Sequence, residues 1–342
     1  MDEVPHGQVT GARRRPRLED VAARVGMSPA SVSMVLSNAP GPSAATRERV
    51  LEAAAALGYR PDRTASLLAR RRTHLVGVMM DVRSAFHAEL VEDLHEAAEQ
   101  QGYDVVLSTV TRTRDERRAT ETLVDFRCEA LVLLGPVAPA ARLGALAGQL
   151  PVVVVGRRVT AAGVDVVRSA DDEGVGQAVG HLAGLGHRTI AFIDGGTGPI
   201  ASDRRRGYRT AMRRHHLGDH LRVIPGDHTE AAGTRAARAL LGDGRLPSAV
   251  VASNDRCALG FLDALNRAGV DVPGVVSVVG YDDSTLSRLA HVNLTTVSQD
   301  AARQAEHAVA AAVERLDHGR TARREVVLAP HLVVRGTTGA PP

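Results

Sequence analysis

The hydrophobic pattern of the chain changes character once. Up to about position 60 the apolar residues fall at helical spacing; from Leu75 onward, strand-length runs of Val, Leu and Ile alternate with amphipathic stretches. In the first part Val21, Ala22 and Val25 form one stripe, and Val32, Val35 and Leu36 form a second. The spacing predicts helices over about 18–25 and 29–36. Gly26 lies between them, where a side chain would crowd the backbone or resist a positive φ. Ser28 is placed to cap the second helix, and the small Ala22 lets the two helices approach closely. Ser43 can cap a third helix, AATRERVLEAAAALG, which Gly58 stops, with Val50, Ala54 and Leu57 facing inward. Two short helices around a tight turn form a helix-turn-helix, a motif whose second helix enters the DNA major groove.

The second part reads as two series of βα units. LVGVMM, FHAELVEDLHEAAEQQG, YDVVLST, a helix near 114–126, ALVLLG and PVVVVG make the first. GVGQAVGHLAGLG, TIAFIDG, a helix near 204–217, RVIPGD, a helix near 230–241, AVVASND, a helix near 257–268 and VVSVVGYDD make the second. A helix near 300–316 and a strand EVVLAPHLVV close the chain. Uninterrupted apolar strands mark parallel sheets buried on both faces. Two consecutive sets imply two doubly wound α/β lobes with a cleft between them. The expected organisation is a basic, disordered arm over 1–16, an all-α head over 17–61, a short basic hinge helix over 62–73 and a body over 74–338. Within the body, lobe one is expected at about 74–167 and 297–325, and lobe two at about 168–294 and 326–338.

Charge sharpens this division. The chain has 342 residues and a net charge of +3. Residues 1–72 carry twelve arginines against seven carboxylates, so the remainder is slightly acidic. A basic head on an acidic body is the asymmetry expected when only the head meets phosphate. Every basic residue is Arg, a compositional trait with no functional reading attached. Cys128 and Cys257 form no CxxC pair and read as small buried hydrophobes of a reducing compartment. The N-terminus has no apolar core resembling a signal peptide, and no apolar run approaches membrane-spanning length. The expected location is the cytoplasm.

With these elements in place, the chain resembles the LacI/GalR family of transcriptional regulators from about Arg17 to Thr337. The helix-turn-helix, the segment SAATRERVLEAAAALGYRPDRTASLLARRR and the LVGV that follows carry the resemblance in the head. FHAELVEDLHEAAEQQGYDVVL, HLAGLGHRTIAFI, RRRGYRTAM, SNDRCALGFLDAL, VSVVGYDD, LTTVSQD and LVVRGTT carry it in the body. The resemblance implies a body like the periplasmic binding proteins. It also implies a ligand-responsive repressor of carbohydrate-related genes, binding a pseudo-palindromic operator in double-stranded DNA as a homodimer, with a tetramer as a further possible assembly.

It further nominates residues. Pro29 and Ala30 open the recognition helix and can make only apolar contact with base edges, such as a thymine methyl. Met34 stands where the family usually has Arg, and Ser37 where it often has Asn. Ser28, Ser31, Ser33 and Asn38 suit phosphate contacts, which position without specifying. Arg17, Leu18, Tyr59 and Arg63 complete the expected DNA-contacting set. Leu68, with Ala65 on the same face, matches the leucine that wedges into a minor-groove base step. For the effector the resemblance points to Phe86 and His87, Arg204, Asn254, Asp282 and Gln299, with Arg157 and His228 as weaker nominees. Arg204 offers a fork of donors and Asp282 a two-oxygen acceptor, the chemistry a hydroxylated ligand needs. His87 replaces one of the family's usual paired aromatics and points to a more polar ligand.

Other signals are weaker. His215, His216 and His220 cluster without a carboxylate or thiolate set, so no metal site is expected. DGGTG lacks both the GxGxxG and the Walker patterns, so no nucleotide cofactor is expected. Asp282 and Asp283 are sequence neighbours that point apart, a poor acid–base pair. No nucleophile–base motif supports an enzyme. A solute-binding protein of a transporter shares the two-lobe pattern but lacks a reason for the basic head.

Overall fold

The structure is a computed structural model that describes residues 16–36, 39–59 and 72–342. The chain divides after Thr73 into a helical head and an α/β body. The arm to residue 15, the segment 60–71 that contains Arg63, Ala65 and Leu68, and the pair Ser37 and Asn38 lie outside the described residues.

In the head, α1 (Leu18–Val25), α2 (Pro29–Leu36) and α3 (Ala44–Leu57) pack around Val21, Ala22, Val32, Val35, Val50, Ala53 and Ala54. Leu57 and Tyr59 pack at its edge. Gly26 closes α1 at φ 66°, in the left-handed region, with its N–H on the Ala22 carbonyl. The Ser28 hydroxyl accepts the Ser31 N–H at 3.2 Å, and Ser43 does the same for Thr46 at 3.3 Å. These caps satisfy N–H groups that a helix start leaves orphaned.

The body begins with β1 (Leu75–Asp81), α4 (Ala85–Gln100), β2 (Asp104–Val110), α5 (Glu116–Asp125), β3 (Ala130–Leu134), α6 (Ala140–Ala147), β4 (Val152–Val155) and β5 (Val164–Ser169). It continues through α7 (Asp171–Gly184), β6 (Ile190–Ile193), α8 (Pro199–Arg214), β7 (Arg222–Ile224), α9 (Glu230–Gly242) and β8 (Ala249–Ala252). Then come α10 (Asp255–Arg267), β9 (Ser277–Asp282), β10 (Thr295–Ser298), α11 (Ala301–Asp317), β11 (Glu325–Leu328) and β12 (His331–Val333).

Two six-stranded sheets result, ordered β11-β5-β4-β3-β1-β2 and β12-β10-β9-β8-β6-β7. Both contain the same doubly wound core order, and β12, antiparallel to β10, is the exception to parallel pairing. Every residue of β3, β4, β6 and β8 is buried, as helices on both sheet faces require. The chain passes between lobes three times: after β5, after β10 and between β11 and β12. Ser169 and Gln304 both donate to the Gln299 carbonyl, at 3.1 and 2.9 Å, which ties two of these crossings together.

Four features differ from the sequence reading. Thr295–Ser298 pairs with β9, so the second lobe runs through 298 rather than ending near 294. Val326–Leu328 pairs with β5 in the first sheet, not the second. EVVLAPHLVV is therefore two strands in two sheets, broken at Pro330, which cannot donate to a ladder. Strand β5, VDVVRS, and helix α6 are additional elements. Polar residues interrupt β5, yet they are buried. Asp165 receives both Arg315 and Arg320, at 2.7 Å each, together with the Arg324 N–H. Burial alone would raise its pKa, but these bonds outweigh burial and hold it below the usual value.

Candidate functional site

In the head, the outward face of α2 is the candidate nucleic-acid surface. Val32 and Val35 turn inward, which leaves Pro29, Ala30, Ser33 and Met34 exposed, with Ser28 at the start. Met34 is 44% exposed, a large apolar side chain held out to solvent. Ser28 and Ser31 share a hydroxyl–hydroxyl bond at 2.9 Å. Arg17 is exposed, its backbone N–H bonded to Asp20 at 2.7 Å, while Leu18 is half-buried against the core.

In the body, a cavity of about 320 Å³ opens between the lobes. Its walls come from the carboxyl ends of the strands, where open α/β sheets bind ligands. Asp81 ends β1, Gly135 follows β3 and Gly156 follows β4 in lobe one; Asn254 follows β8, Asp282 ends β9 and Gln299 follows β10 from lobe two. Phe86, Leu90, Leu134, Val155 and Ile200 supply an apolar side.

The expected residues Phe86, His87, Arg204, His228, Asn254, Asp282 and Gln299 all line this cavity. Arg157 does not. The chain turns at Gly156 (φ 91°) and sends the Arg157 guanidinium to the Ala138 carbonyl, 2.5 Å away. The reading also missed cavity-lining groups, chiefly Asp81, Arg83, Asp227 and Arg256. Arg83 clasps Asp81 through two donors at 3.0 and 2.7 Å.

Arg204 is only 4% exposed and already heavily engaged. It donates to Asp171 at 2.8 Å and to the Ser253 carbonyl, lies 3.6 Å from Asp282, and stacks 3.7 Å over the Tyr281 ring. Burial alone would lower its pKa, but Asp171 and Asp282 outweigh it and hold the guanidinium charged. Gln299 donates to Asp282 at 2.7 Å. Burial pushes Asp282 up to about 8, with Arg204 opposing and the nearby Asp255 adding to the rise.

The two imidazoles are neutral. Burial lowers His87 to about 4, and burial with the charge of Arg204 lowers His228 to about 3. His87 Nδ1 accepts the Asp81 backbone N–H at 3.2 Å. A neutral ring that accepts at Nδ1 carries its proton at Nε2, so His87 is a fixed Nε2–H donor beside Gly135. His228 lies over Gly195, where even a Cβ would come within 2.0 Å of the ring. Asn254 places that loop: its Nδ2 donates to the His228 carbonyl at 3.1 Å while its Oδ1 caps α10 at Cys257, 2.9 Å away.

Among the described residues, no group of three or more His, Cys, Asp or Glu side chains could hold a metal ion, and no helix is long and apolar enough to cross a membrane.

A helix-turn-helix head joined to a two-lobed body closing on a polar cleft defines the class of DNA-binding transcriptional regulators with an effector-binding body. The particular family follows from comparison. Residues 17–62 match the lacI family of bacterial regulatory proteins, and residues 179–338 match the periplasmic binding protein-like domain. The chain is 32% identical to the transcriptional regulator GalR of Escherichia coli over 329 residues, 95% of this chain and 96% of GalR. The lac repressor dimer bound to operator and the anti-inducer ONPF superimposes with a TM-score of 0.80 at 28% identity, covering 96% of this chain and all of that one. The regulator CelR in complex with cellobiose gives 0.69 at 30% identity, covering 94% and 100%. The chain belongs to the LacI family of transcriptional regulators.

Proposed function

We propose that this protein is a repressor of carbohydrate-related genes that binds a pseudo-palindromic operator as a homodimer and is switched by a sugar or sugar derivative in the interlobe cleft. The single observation that carries this reading is the cleft itself: an apolar wall faced by His87 from one lobe and Arg204, Asp282 and Gln299 around the other. A hydroxylated ring needs convergent donors and acceptors and one apolar face. The complex of the similar CelR with cellobiose supports a sugar, and that of the similar lac repressor dimer with operator supports dimeric binding to DNA.

In this reading α2 enters the major groove, with Ser28, Pro29, Ala30, Ser31, Ser33 and Met34 nearest the DNA and Arg17, Leu18 and Tyr59 supporting them. Ser37, Asn38, Arg63, Ala65 and Leu68 contribute from outside the described residues. Two heads on one operator need a fixed spacing. A sugar changes that spacing only through its different affinity for the two lobe arrangements.

A thermal-shift screen of the full chain against sugars tests the effector half. A sugar at a hundred times its Kd stabilises the body by about 2.7 kcal/mol. Arg204→Ala is expected to abolish the shift. A shift that survives in a folded Arg204→Ala protein would place the ligand elsewhere.

A further inference from the structure

The charges lining the cleft are mutually satisfied. Arg83 uses two donors on Asp81, and Arg256 uses two on Glu230, at 2.7 and 2.5 Å. Arg204 is held by Asp171 and Asp282. Asp227, the remaining lining carboxylate, receives Arg235 at 3.0 Å. Four arginines therefore face five carboxyl groups, of which Asp282 is held largely protonated at neutral pH. Two of the three arginines lining the cavity present their fork to a carboxylate, the geometry that would otherwise take a phosphate.

We infer that the cleft selects an uncharged polyhydroxyl ligand over its phosphorylated or acidic counterpart, and that Glu230 enforces this choice by occupying Arg256. The inference rests on the sugar reading above and narrows it. An anion entering the cleft meets the charges of Asp81 and Asp227, and it gains the paired Nε–Nη2 edge of Arg83 or Arg256 only by taking it from a carboxylate. That carboxylate would be left unpaired beside a second negative charge. Neutral hydroxyls need no such exchange: they can accept from His87 Nε2–H and donate to carboxyl oxygens that keep their existing partners.

The pairing also reaches across the cleft. The Arg256 guanidinium that Glu230 orients donates to the Arg83 carbonyl of the opposite lobe. An anion that captured Arg256 would thus also loosen one of the contacts between the lobes. Selection against charge and closure over the ligand are set by the same side chain.

Calorimetric titration of the full chain with a panel of neutral sugars, their phosphate esters and the matching uronic acids tests this. The bound neutral sugar is expected to exceed its charged counterparts by at least about tenfold in affinity, the scale of one charge-assisted hydrogen-bond pair. In Glu230→Gln, which releases Arg256, that ratio is expected to shrink as phosphate-ester affinity rises. A phosphate or uronic acid binding as tightly as the neutral sugar overturns the inference and leaves the sugar reading standing. Binding of no member overturns both. An unchanged ratio in Glu230→Gln overturns the role given to Glu230, whereas a narrowed ratio supports it.

Discussion

Asp282 is the residue whose chemistry the cleft changes most. It ends β9 at φ 118°, receives Gln299, and feels the charges of the buried Asp171 and Asp255. Because its pKa in the folded body is raised to about 8, it contributes stability that is full below the ordinary carboxylate pKa and is lost as pH rises through about 8. The unfolding temperature of the wild-type protein is therefore expected to fall between about pH 5 and pH 8 and to level off above, and that of Asp282→Asn to fall less, since an amide cannot ionise. Equal slopes in the two proteins would show that Asp282 ionises as freely when folded as unfolded. His87, Arg204, Asn254, Asp282 and Gln299, with His228 as a weaker nominee, were legible through the motifs that carry the family resemblance, and all but Arg204, which sits inside α8, lie at or shortly after the end of a strand or at a helix start. Arg256 was not, because its meaning depends on Glu230, 26 residues away, and on the Arg83 carbonyl, 173 away. Arg157 satisfied the same positional rule and failed it, since the backbone direction at Gly156 decides where its side chain goes.

At the scale of elements, the helix starts do the positioning. Ser84 caps α4 by accepting the His87 N–H at 3.3 Å and so sets the ring that faces the cavity. Asn254 does two tasks, capping α10 and holding the His228 loop. Asn254→Ala loses both and is expected to destabilise the body by about 1 kcal/mol, a typical cap loss. Asn254→Asp keeps the cap oxygen but not the donor. It is expected to retain most of the stability and still to bind sugar more weakly than wild type, as paired melts and titrations would show. Wild-type affinity in a stable Asn254→Asp protein would contradict the placing role. The βα alternation was readable from apolar runs alone. Strand β5 was not, because Asp165 and Arg168 break its run and are buried only by partners far along the chain: Arg315 and Arg320 for the first, Glu325 for the second.

Across the whole body, the two lobes touch at several points. Arg256 reaches the Arg83 carbonyl, and Thr285 donates its N–H and hydroxyl to Glu89 at 2.7 and 2.9 Å. Ile200 of lobe two lies against Gly135 and Gly156 of lobe one. A ligand gripped by both lobes is bound most tightly when these contacts form, so removing them costs affinity without touching the ligand. Glu89→Ala is expected to weaken sugar binding by up to about fivefold, the scale of an exposed polar pair. It is also expected to shift small-angle scattering of the sugar-free body toward a larger radius. Unchanged affinity and radius would show that Glu89 does not hold the lobes together.

At the largest scale, the proposed function is a switch in which sugar bound in the cleft controls the grip of the head on DNA. Fluorescence anisotropy of the full chain against DNA from upstream of its own gene, with scrambled DNA as control, tests it directly. Sequence-preferring binding with a steep inverse salt dependence is expected. Saturating sugar is expected to change operator affinity by at least about fivefold, the lower range of allosteric coupling. Equal binding to scrambled DNA, or an operator affinity indifferent to a sugar that the body demonstrably binds, would contradict it.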